Sequence, residues 1–197
     1  MSKAKETKEK IVKQAAELFN QQGYAGSSIS DIMRATGLQK GGIYNHFQSK
    51  QELALAAFDF ASQQTSRRFL IAIKGKRNAI ERLQAILFVF SSFVDEPPLV
   101  GGCPILNTAI ESDDANPALR DRVQKAMDAW RNMICRIINK GISSGEIRVN
   151  VEADTFATIM ISTLEGAVMM SKLYGNSIHL ERAIEHLNDY IESHLQI

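Results

Sequence analysis

Apolar residues recur three or four positions apart along most of this 197-residue chain, which is the spacing of a helix with one buried face. Glycine, proline and short polar clusters divide the pattern into nine segments. The predicted helices cover residues 7–22, 29–36, 40–47, 49–74, 78–94, 104–111, 116–140, 151–174 and 178–195. Because no long alternating run of β-branched residues separates them, the sequence predicts an all-α fold.

The second and third segments are short and are joined by a tight turn. Ser28 is predicted to cap the first of them, and Asp31, three residues later, completes a capping box. Gly37 is predicted to end this helix, because glycine readily takes the left-handed conformation that follows many helices. In the next helix Ile43 and Phe47 lie one turn apart and must pack inward. This layout is typical of a helix-turn-helix, whose second helix enters the major groove of DNA.

The polar side of the second short helix carries residue types that suit DNA. Its glycines let the backbone approach the groove, Asn45 can pair with an adenine edge, and Lys40 can reach a guanine edge or a phosphate. Tyr44 can contact a phosphate, and the start of the following helix suits another. The predicted DNA contacts are Ser28, Lys40, Gly41, Gly42, Tyr44, Asn45, Ser49 and Lys50. The alternative is a helical hairpin whose polar face is merely solvated.

The first quarter of the chain resembles the DNA-binding domain of the TetR/AcrR family of bacterial transcriptional repressors. The resemblance includes the run Gly-Ile-Tyr-Asn-His-Phe-Gln-Ser-Lys-Gln-Glu-Leu at residues 42–53. The positions that agree with the family pattern are Ala16, Leu18, Phe19, Gly23, Tyr24, Ile29, Ile32, Gly37, Lys40, Gly41, Tyr44, Phe47, Ser49 and Lys50. Two positions depart from it: Gln39 stands where the family usually has a serine N-cap, and Gly42 replaces a common Ser, Thr or Ala.

The resemblance implies a helix-turn-helix DNA-binding domain over residues 1–48 and a helical effector-binding and dimerisation domain over residues 49–197. The implied function is that of a ligand-responsive repressor, which binds a pseudo-palindromic operator in double-stranded DNA as a homodimer and is released by a small effector. The distribution of charge along the chain agrees modestly with DNA binding by the first domain. Residues 1–55 carry eight Lys or Arg and five Asp or Glu, whereas residues 56–197 carry 15 and 17, so the basic excess lies at the predicted DNA-binding end.

The last two predicted helices have features of a dimer interface. The eighth is apolar on more than one side, and Ser162 and Gly166, four residues apart, allow another helix to approach closely. The ninth carries one apolar stripe at helical spacing. The predicted interface residues are Ser162, Gly166, Leu180, Ile184, Leu187 and Ile191. The alternative is that the eighth helix is an ordinary buried helix of the monomer.

The resemblance also implies a small-molecule pocket among the fifth to eighth helices. Residues 85–90 are apolar on all sides, which predicts that the fifth helix is central and buried. The candidate effector-binding residues are Phe88, Phe90, Cys103, Asn107, Trp130, Met133 and Met169, with Asn107 as the polar anchor. Pockets of this composition bind apolar or aromatic molecules. The alternative is that these side chains simply fill the core.

Cys103 supports a second mechanism. Pro104 favours the first helical position, so Cys103 is predicted at the N-cap, where the helix dipole lowers the pKa of a thiol. Gly101 and Gly102 would give reagents access to it. The alternative function is therefore a repressor that senses electrophiles or oxidants through Cys103, and against it stands an inert, buried cysteine. Cys135 lies in an apolar stripe and is predicted to be a core residue.

Other kinds of site are not expected. The sequence shows no Gly-rich phosphate loop, zinc-protease motif or nucleophile elbow, so we expect no catalytic residue and no cofactor. Because His179, His186 and His194 are seven or eight residues apart, no metal site is expected. A secretory signal and an uncharged apolar stretch of about 20 residues are also missing, which predicts a cytoplasmic protein without a membrane span. A helical enzyme without a recognisable motif is the remote alternative.

Overall fold

Nine α-helices make up most of residues 2–197, the part of the chain that this computed structural model describes. They are α1 (Lys3–Gln22), α2 (Ile29–Thr36), α3 (Lys40–Tyr44), α4 (Lys50–Ile73), α5 (Ala79–Ser91), α6 (Pro104–Ser112), α7 (Pro117–Ser143), α8 (Ala153–Tyr174) and α9 (Ile178–Tyr190). A π-helical turn, Ile191–Leu195, follows α9. Among these residues the structure has no strand, only an isolated bridge between Ile147 and Gln196. The predicted all-α fold is confirmed.

Local capping signals place several helix ends where the sequence predicts them. Ser28 caps α2 in a complete capping box with Asp31, and Gly37 follows α2 with a φ of 71°. Cys103 is the N-cap of α6, and Pro104 is the first residue of that helix. These ends depend on side chains and backbone angles within a few residues, which is why the sequence alone predicts them.

The third helix is shorter than predicted, because it ends at Tyr44 rather than at residue 47. Its N-cap, Gln39, makes no side-chain hydrogen bond to the helix. Two of its five residues are glycines, which disfavour the helical conformation. The chain continues in hydrogen-bonded turns, where the N–H groups of His46 and Phe47 donate to the carbonyl of Ile43.

Contacts within the chain define two compact units. The first comprises the chain up to Thr65 together with Pro98–Ala126, and the second comprises Ser66–Pro97 together with Met127–Ile197. By packing, α6 and the first part of α7 therefore belong with the helix-turn-helix. The functional division at residue 48 stays a prediction.

The first unit has an apolar core shared by α1, α2, α3 and α4. Its buried members are Ile11, Ala15, Ala16, Ile32, Ile43, Phe47, Leu53, Ala57, Ala61 and Leu99. The loop before α6 thus adds a leucine to the same core as the helix-turn-helix. α6 itself packs on α1.

The second unit is built around four aromatic rings. Phe69 and Phe90 contact each other, and each also contacts Phe93 and Trp130, with ring centroids 4.6–6.2 Å apart. α9 packs on α8 and α5. The apolar stripe of α9 and of the turn after it is therefore buried inside this unit.

Phe88 contradicts the prediction that α5 is buried on all sides. Its side chain is 76% exposed, whereas Leu87 and Val89 on either side are buried. A helix that packs through part of its circumference leaves one apolar position outside the core, and sequence periodicity does not show which one.

One helix within residues 2–197, α8, is long and apolar enough to cross a membrane, with a mean hydropathy of 1.2 over an 18-residue window. Half of that window is buried inside the protein. Core helices of soluble proteins are often equally long and apolar, and α8 packs against α9 within the second unit.

The two phenylalanines of α5 should respond very differently to truncation. Phe90→Ala removes a buried ring from the aromatic cluster and should lower the free energy of unfolding by about 3–5 kcal/mol. Phe88→Ala, its matched control on the same helix, should change it by no more than about 0.5 kcal/mol. Urea unfolding followed by circular dichroism measures both. Equal losses would mean that Phe88 is buried in solution.

Candidate nucleic-acid interface

The outer face of the helix-turn-helix is formed by α3 and the residues next to it. Ile43 is buried and fixes the inner side of α3. Lys40, Gly41 and Asn45 are exposed, and Tyr44 is 40% exposed. The ammonium of Lys40 lies 5.8 Å from the centre of the Tyr44 ring. The structure thus brings these predicted contacts together on one surface.

Neither glycine of α3 is required by the fold. A Cβ atom at Gly41 would meet no heavy atom within 4 Å, and one at Gly42 would lie 3.5 Å from the Cβ of Leu38, an ordinary contact distance. Neither glycine has a positive φ. Packing and backbone conformation within this chain therefore leave room for a side chain at both positions.

Ser28 and Ser49 act as helix caps. The Ser28 hydroxyl donates to the Asp31 carboxylate at 2.6 Å and accepts from the Asp31 N–H at 3.2 Å. The hydrogen bonds from Ser28, with a further contribution from Arg34, lower the pKa of Asp31 to about 2. Ser49 accepts from the N–H of Glu52 at 3.1 Å. Both serines therefore hold helix starts at the exposed surface.

Lys50 has an internal role that the sequence did not reveal. Its ammonium donates to the carbonyl oxygen of Tyr24 and lies 4.2 Å from the centre of the Tyr24 ring. Burial lowers the pKa of Lys50, while the charges of Glu111 and Asp31 favour its protonated form. The phosphate contact predicted for Lys50 would have to compete with these contacts.

The predicted effector residues are divided between the two units. Cys103 and Asn107 belong to the first unit, where the Asn107 amide donates to the carbonyl and side-chain oxygens of Asn20 at 3.1 and 3.0 Å. The predicted polar anchor is thus used in the fold. The other predicted residues, in the second unit, are Phe88, Phe90, Trp130, Met133 and Met169. Because Phe88 and Met169 are 76% and 48% exposed, neither lines an enclosed pocket.

Trp130 carries an unusual buried donor. The residue is buried, and its indole N–H has no hydrogen-bond partner among the residues that the structure describes. Its ring meets those of Phe69 and Phe90 nearly at right angles, with centroids 5.0 and 5.8 Å apart. Burial of a hydrogen-bond donor without an acceptor costs free energy.

The two cysteines differ from the sequence predictions. Cys103 is only 1% exposed although it is the N-cap of α6, so the predicted access for reagents is wrong for this conformation. Cys135 is half-buried rather than in the core. Burial and then the nearby Asp154 carboxylate raise the pKa of the Cys135 thiol. Cys103 is thus the less accessible thiol, and Cys135 has an environment that disfavours the thiolate.

Much of the predicted dimer interface is wrong, because Leu180, Leu187 and Ile191 are buried inside the second unit. The apolar stripe to which they belong packs on α8 and α5 and is not left for a partner. Ile184 is half-buried. Ser162 is exposed and a Cβ at Gly166 would meet nothing within 4 Å, so these two positions do lie on an open helix face.

That open face, the α8 stripe, is largely apolar. It consists of Ile159, Ser162, Gly166, Met169, Met170 and Leu173, whose spacing places them on one side of α8. All of them are at least partly exposed, and Leu173 is 77% exposed. The prediction that α8 is apolar on two sides is therefore confirmed, and the second side faces outward.

A cleft of about 340 Å³ lies between the first half of α8 and the end of α9. Its walls include Phe156, Tyr190 and His194, whose rings stack with centroids 6.0 and 4.6 Å apart. Sequence reasoning missed this cleft, although Tyr190 and His194 are four residues apart and so share a helix face. Throughout residues 2–197, no group of three or more His, Cys, Asp or Glu side chains is arranged to hold a metal ion.

Comparison with known proteins agrees with this architecture. Residues 11–57 match the family profile described as bacterial regulatory proteins of the tetR family, and residues 79–187 match the profile of the tetracyclin repressor-like C-terminal domain. A TetR transcriptional regulator from Chloroflexus aurantiacus J-10-FL is 52% identical over the whole of both chains, with a TM-score of 0.98. A TetR-family regulator from Cytophaga hutchinsonii is 33% identical over 100% of this chain and 98% of its own, with a TM-score of 0.91.

A curated relative, the HTH-type transcriptional repressor DhaR from Mycobacterium sp. (strain GP1), is 24% identical over 87% of this chain and 85% of its own length. Together with the geometry of α2 and α3, these matches define the class of protein as a helix-turn-helix transcriptional regulator. The chain belongs to the TetR family. The profiles and relatives are those of regulators and not of enzymes.

Proposed function

We propose that this protein is a cytoplasmic, ligand-responsive repressor that binds a pseudo-palindromic operator as a homodimer. The observation that carries the proposal is the pair of glycines in α3, which the fold does not require. Because these glycines have no side chains, a partner can approach the backbone of α3 closely. The DhaR relative is named a repressor, which supports repression as the direction of control.

The residues around the glycines are of types that bind base edges and phosphates along a major groove. Asn45 can make two hydrogen bonds to an adenine edge, and Lys40 can contact a guanine edge or a phosphate. The Tyr44 hydroxyl suits a phosphate. Ser28 and Ser49 cap helix starts at the exposed surface, where the positive end of the helix dipole suits a further phosphate.

Selection of duplexes from a random pool by the purified protein tests this function directly. We expect an enriched sequence with two inverted half-sites about one helical turn apart, because a two-fold dimer presents two α3 helices. Affinity should fall steeply with salt, as phosphate contacts release counterions. A pool that stays random after several rounds would contradict sequence-specific binding.

Truncation of Asn45 and truncation of Tyr44 should weaken DNA binding in different ways. Asn45→Ala should weaken binding of the selected duplex by about 1–3 kcal/mol and relax preference at one or two base pairs. Tyr44→Phe, which removes only the hydroxyl, should weaken selected and random duplexes alike. Fluorescence anisotropy with both duplexes measures each effect. Equal loss on the two duplexes for the Asn45 variant would contradict its base-reading role.

We assign the dimer interface to the α8 stripe rather than to the buried residues of α9. Ser162 and Gly166 leave space for a second helix to approach, and Ile159, Met170 and Leu173 offer apolar side chains around that space. A two-fold axis would place the same stripe of two copies face to face, so each copy would cover the other.

Charges on this stripe should separate the protomers. We expect Met170→Glu combined with Leu173→Glu to give a folded monomer that binds the selected duplex at least tenfold more weakly. The matched control is Val149→Glu, which changes an 84% exposed apolar residue outside the stripe and should leave the dimer intact. Sedimentation velocity gives the oligomeric state. An unchanged dimer in the double variant would place the interface elsewhere.

The effector is proposed to be a small apolar or aromatic molecule that reaches the aromatic cluster of the second unit. The buried N–H of Trp130 adds a requirement for one hydrogen-bond acceptor. A reversible ligand is favoured over thiol modification, because the Cys103 side chain is buried.

Trp130 is the single tryptophan, so its emission reports directly on this cluster. We expect single-ring aromatic ketones to change the emission and to release the selected duplex at concentrations about threefold to tenfold lower than the matching hydrocarbons, since a hydrogen bond contributes about 1 kcal/mol. Trp130→Phe should abolish this difference but keep DNA binding. Compounds that change the emission without affecting DNA would show that the cluster is not coupled to release.

A further inference from the structure

The turn between α1 and α2 is held from outside by a carboxylate. One oxygen of Glu111, on α6, accepts a hydrogen bond from the backbone N–H of Tyr24, and the other accepts from the N–H of Ala25, both at 2.6 Å. Hydrogen bonds from amides to a charged carboxylate are among the stronger ones in proteins. A single side chain on α6 thus satisfies two consecutive backbone donors of the helix-turn-helix.

The same turn is also held by a cation. The ammonium of Lys50 donates to the carbonyl oxygen of Tyr24 and lies over its ring. Lys50 and Glu111 are also close enough to interact through their charges. Opposite charges therefore hold the N–H and C=O groups of Tyr24, and we name Lys50, Tyr24 and Glu111 the turn clamp.

The turn is shaped for close approach of the carboxylate. Gly23 has a φ of +78°, and a Cβ there would lie 2.9 Å from a Glu111 oxygen. A Cβ at Gly26 would lie 2.3 Å from the carbonyl oxygen of Gln22. The turn leads directly to Ser28, the N-cap of α2, so its geometry sets where α2 begins.

Glu111 is itself held in place by the start of α6. The Asn107 amide donates to Asn20 at the end of α1, and the Asn20 amide donates to the carbonyls of Val100 and Gly102 at 2.9 and 3.1 Å. α6 is therefore attached to α1 one turn before Glu111. The Glu111 carboxylate therefore reaches the turn after α1 from a helix that is itself attached to α1.

We propose that Glu111 is a positioning residue for DNA binding: through the turn clamp it sets the placement of α2 and α3 on α1. The proposal rests on the proposed function, since it concerns how the α3 surface meets an operator. Removal of Glu111 should disturb base reading more than phosphate contact, because only base reading requires α3 in one exact position in the groove.

The test compares Glu111→Gln with wild type on the selected duplex and on a random one. Glutamine keeps the size but presents an NH₂ group to one of the two backbone donors. We expect amide exchange at Tyr24 and Ala25, followed by NMR, to become at least tenfold faster. Affinity for the selected duplex should fall about tenfold, and affinity for the random duplex should change less than twofold.

The direction of the change in DNA affinity separates the loss of the turn clamp from the loss of a negative charge. Loss of one negative charge should by itself strengthen binding to DNA. Asp114→Asn, which makes the same charge change at an exposed residue just after α6, should therefore bind both duplexes as well as wild type or slightly better. Glu111→Asp keeps the charge but shortens the reach, and it should weaken selected binding in the same direction as Glu111→Gln.

A double-mutant cycle tests the clamp itself. Lys50→Met and Glu111→Gln should be clearly non-additive in affinity for the selected duplex, because both hold one turn. Lys10→Met is the matched control, since Lys10 donates to the carbonyl of Thr36 at 2.7 Å in the same unit but away from the clamp. Its effect should add to that of Glu111→Gln.

Amides of Tyr24 and Ala25 that stay equally protected in Glu111→Gln would overturn the proposal, as would equal losses on both duplexes. A wild-type protein that selects no duplex would instead overturn the proposed function. The exchange measurement would then still decide whether the clamp exists in solution.

Discussion

The helix that carries the proposed base contacts cannot stand alone, and this constraint shapes the first unit. α3 has five residues, two of them glycine, and its N-cap makes no side-chain hydrogen bond. Isolated helices shorter than about 12 residues are marginal in water even when their composition is favourable. The position of α3 therefore depends on the burial of Ile43 and Phe47 in the core shared with α1 and α2. Whatever fixes α1 against α2 also fixes α3.

Because α3 depends on the placement of α1 and α2, the turn between those two helices is held by several hydrogen bonds. The turn after α1 is closed by Ser27, whose hydroxyl donates to the carbonyl of Gly23 at 2.7 Å, by Glu111 and by Lys50. The outer face of α3, by contrast, has open space at Gly41 and exposed side chains on either side. The contacts that stabilise the turn thus involve none of the exposed residues of α3, and those residues remain available to a partner.

Features set by neighbouring residues were predictable from the sequence. The capping box at Ser28, the glycine that follows α2 and the proline that starts α6 all act within one helical turn, and all three predictions are confirmed. The apolar periodicity likewise predicted nine helices. It could not show which apolar face meets which neighbour, so it placed Leu187 at an interface and Phe88 in the core, whereas the structure buries the former and exposes the latter.

Contacts between distant segments were out of reach for the same reason. Glu111 and Tyr24 are 87 residues apart, and nothing in the local pattern of α6 marks Glu111 as different from any solvated carboxylate. Lys50 shows the complementary difficulty. Lys50 matches the family pattern by position, and its charge at the start of α4 suggested a phosphate contact, yet its ammonium lies against Tyr24. A motif transfers the location of a residue, but its role depends on where the side chain finds its partners, and for Lys50 one partner is another residue of the same motif.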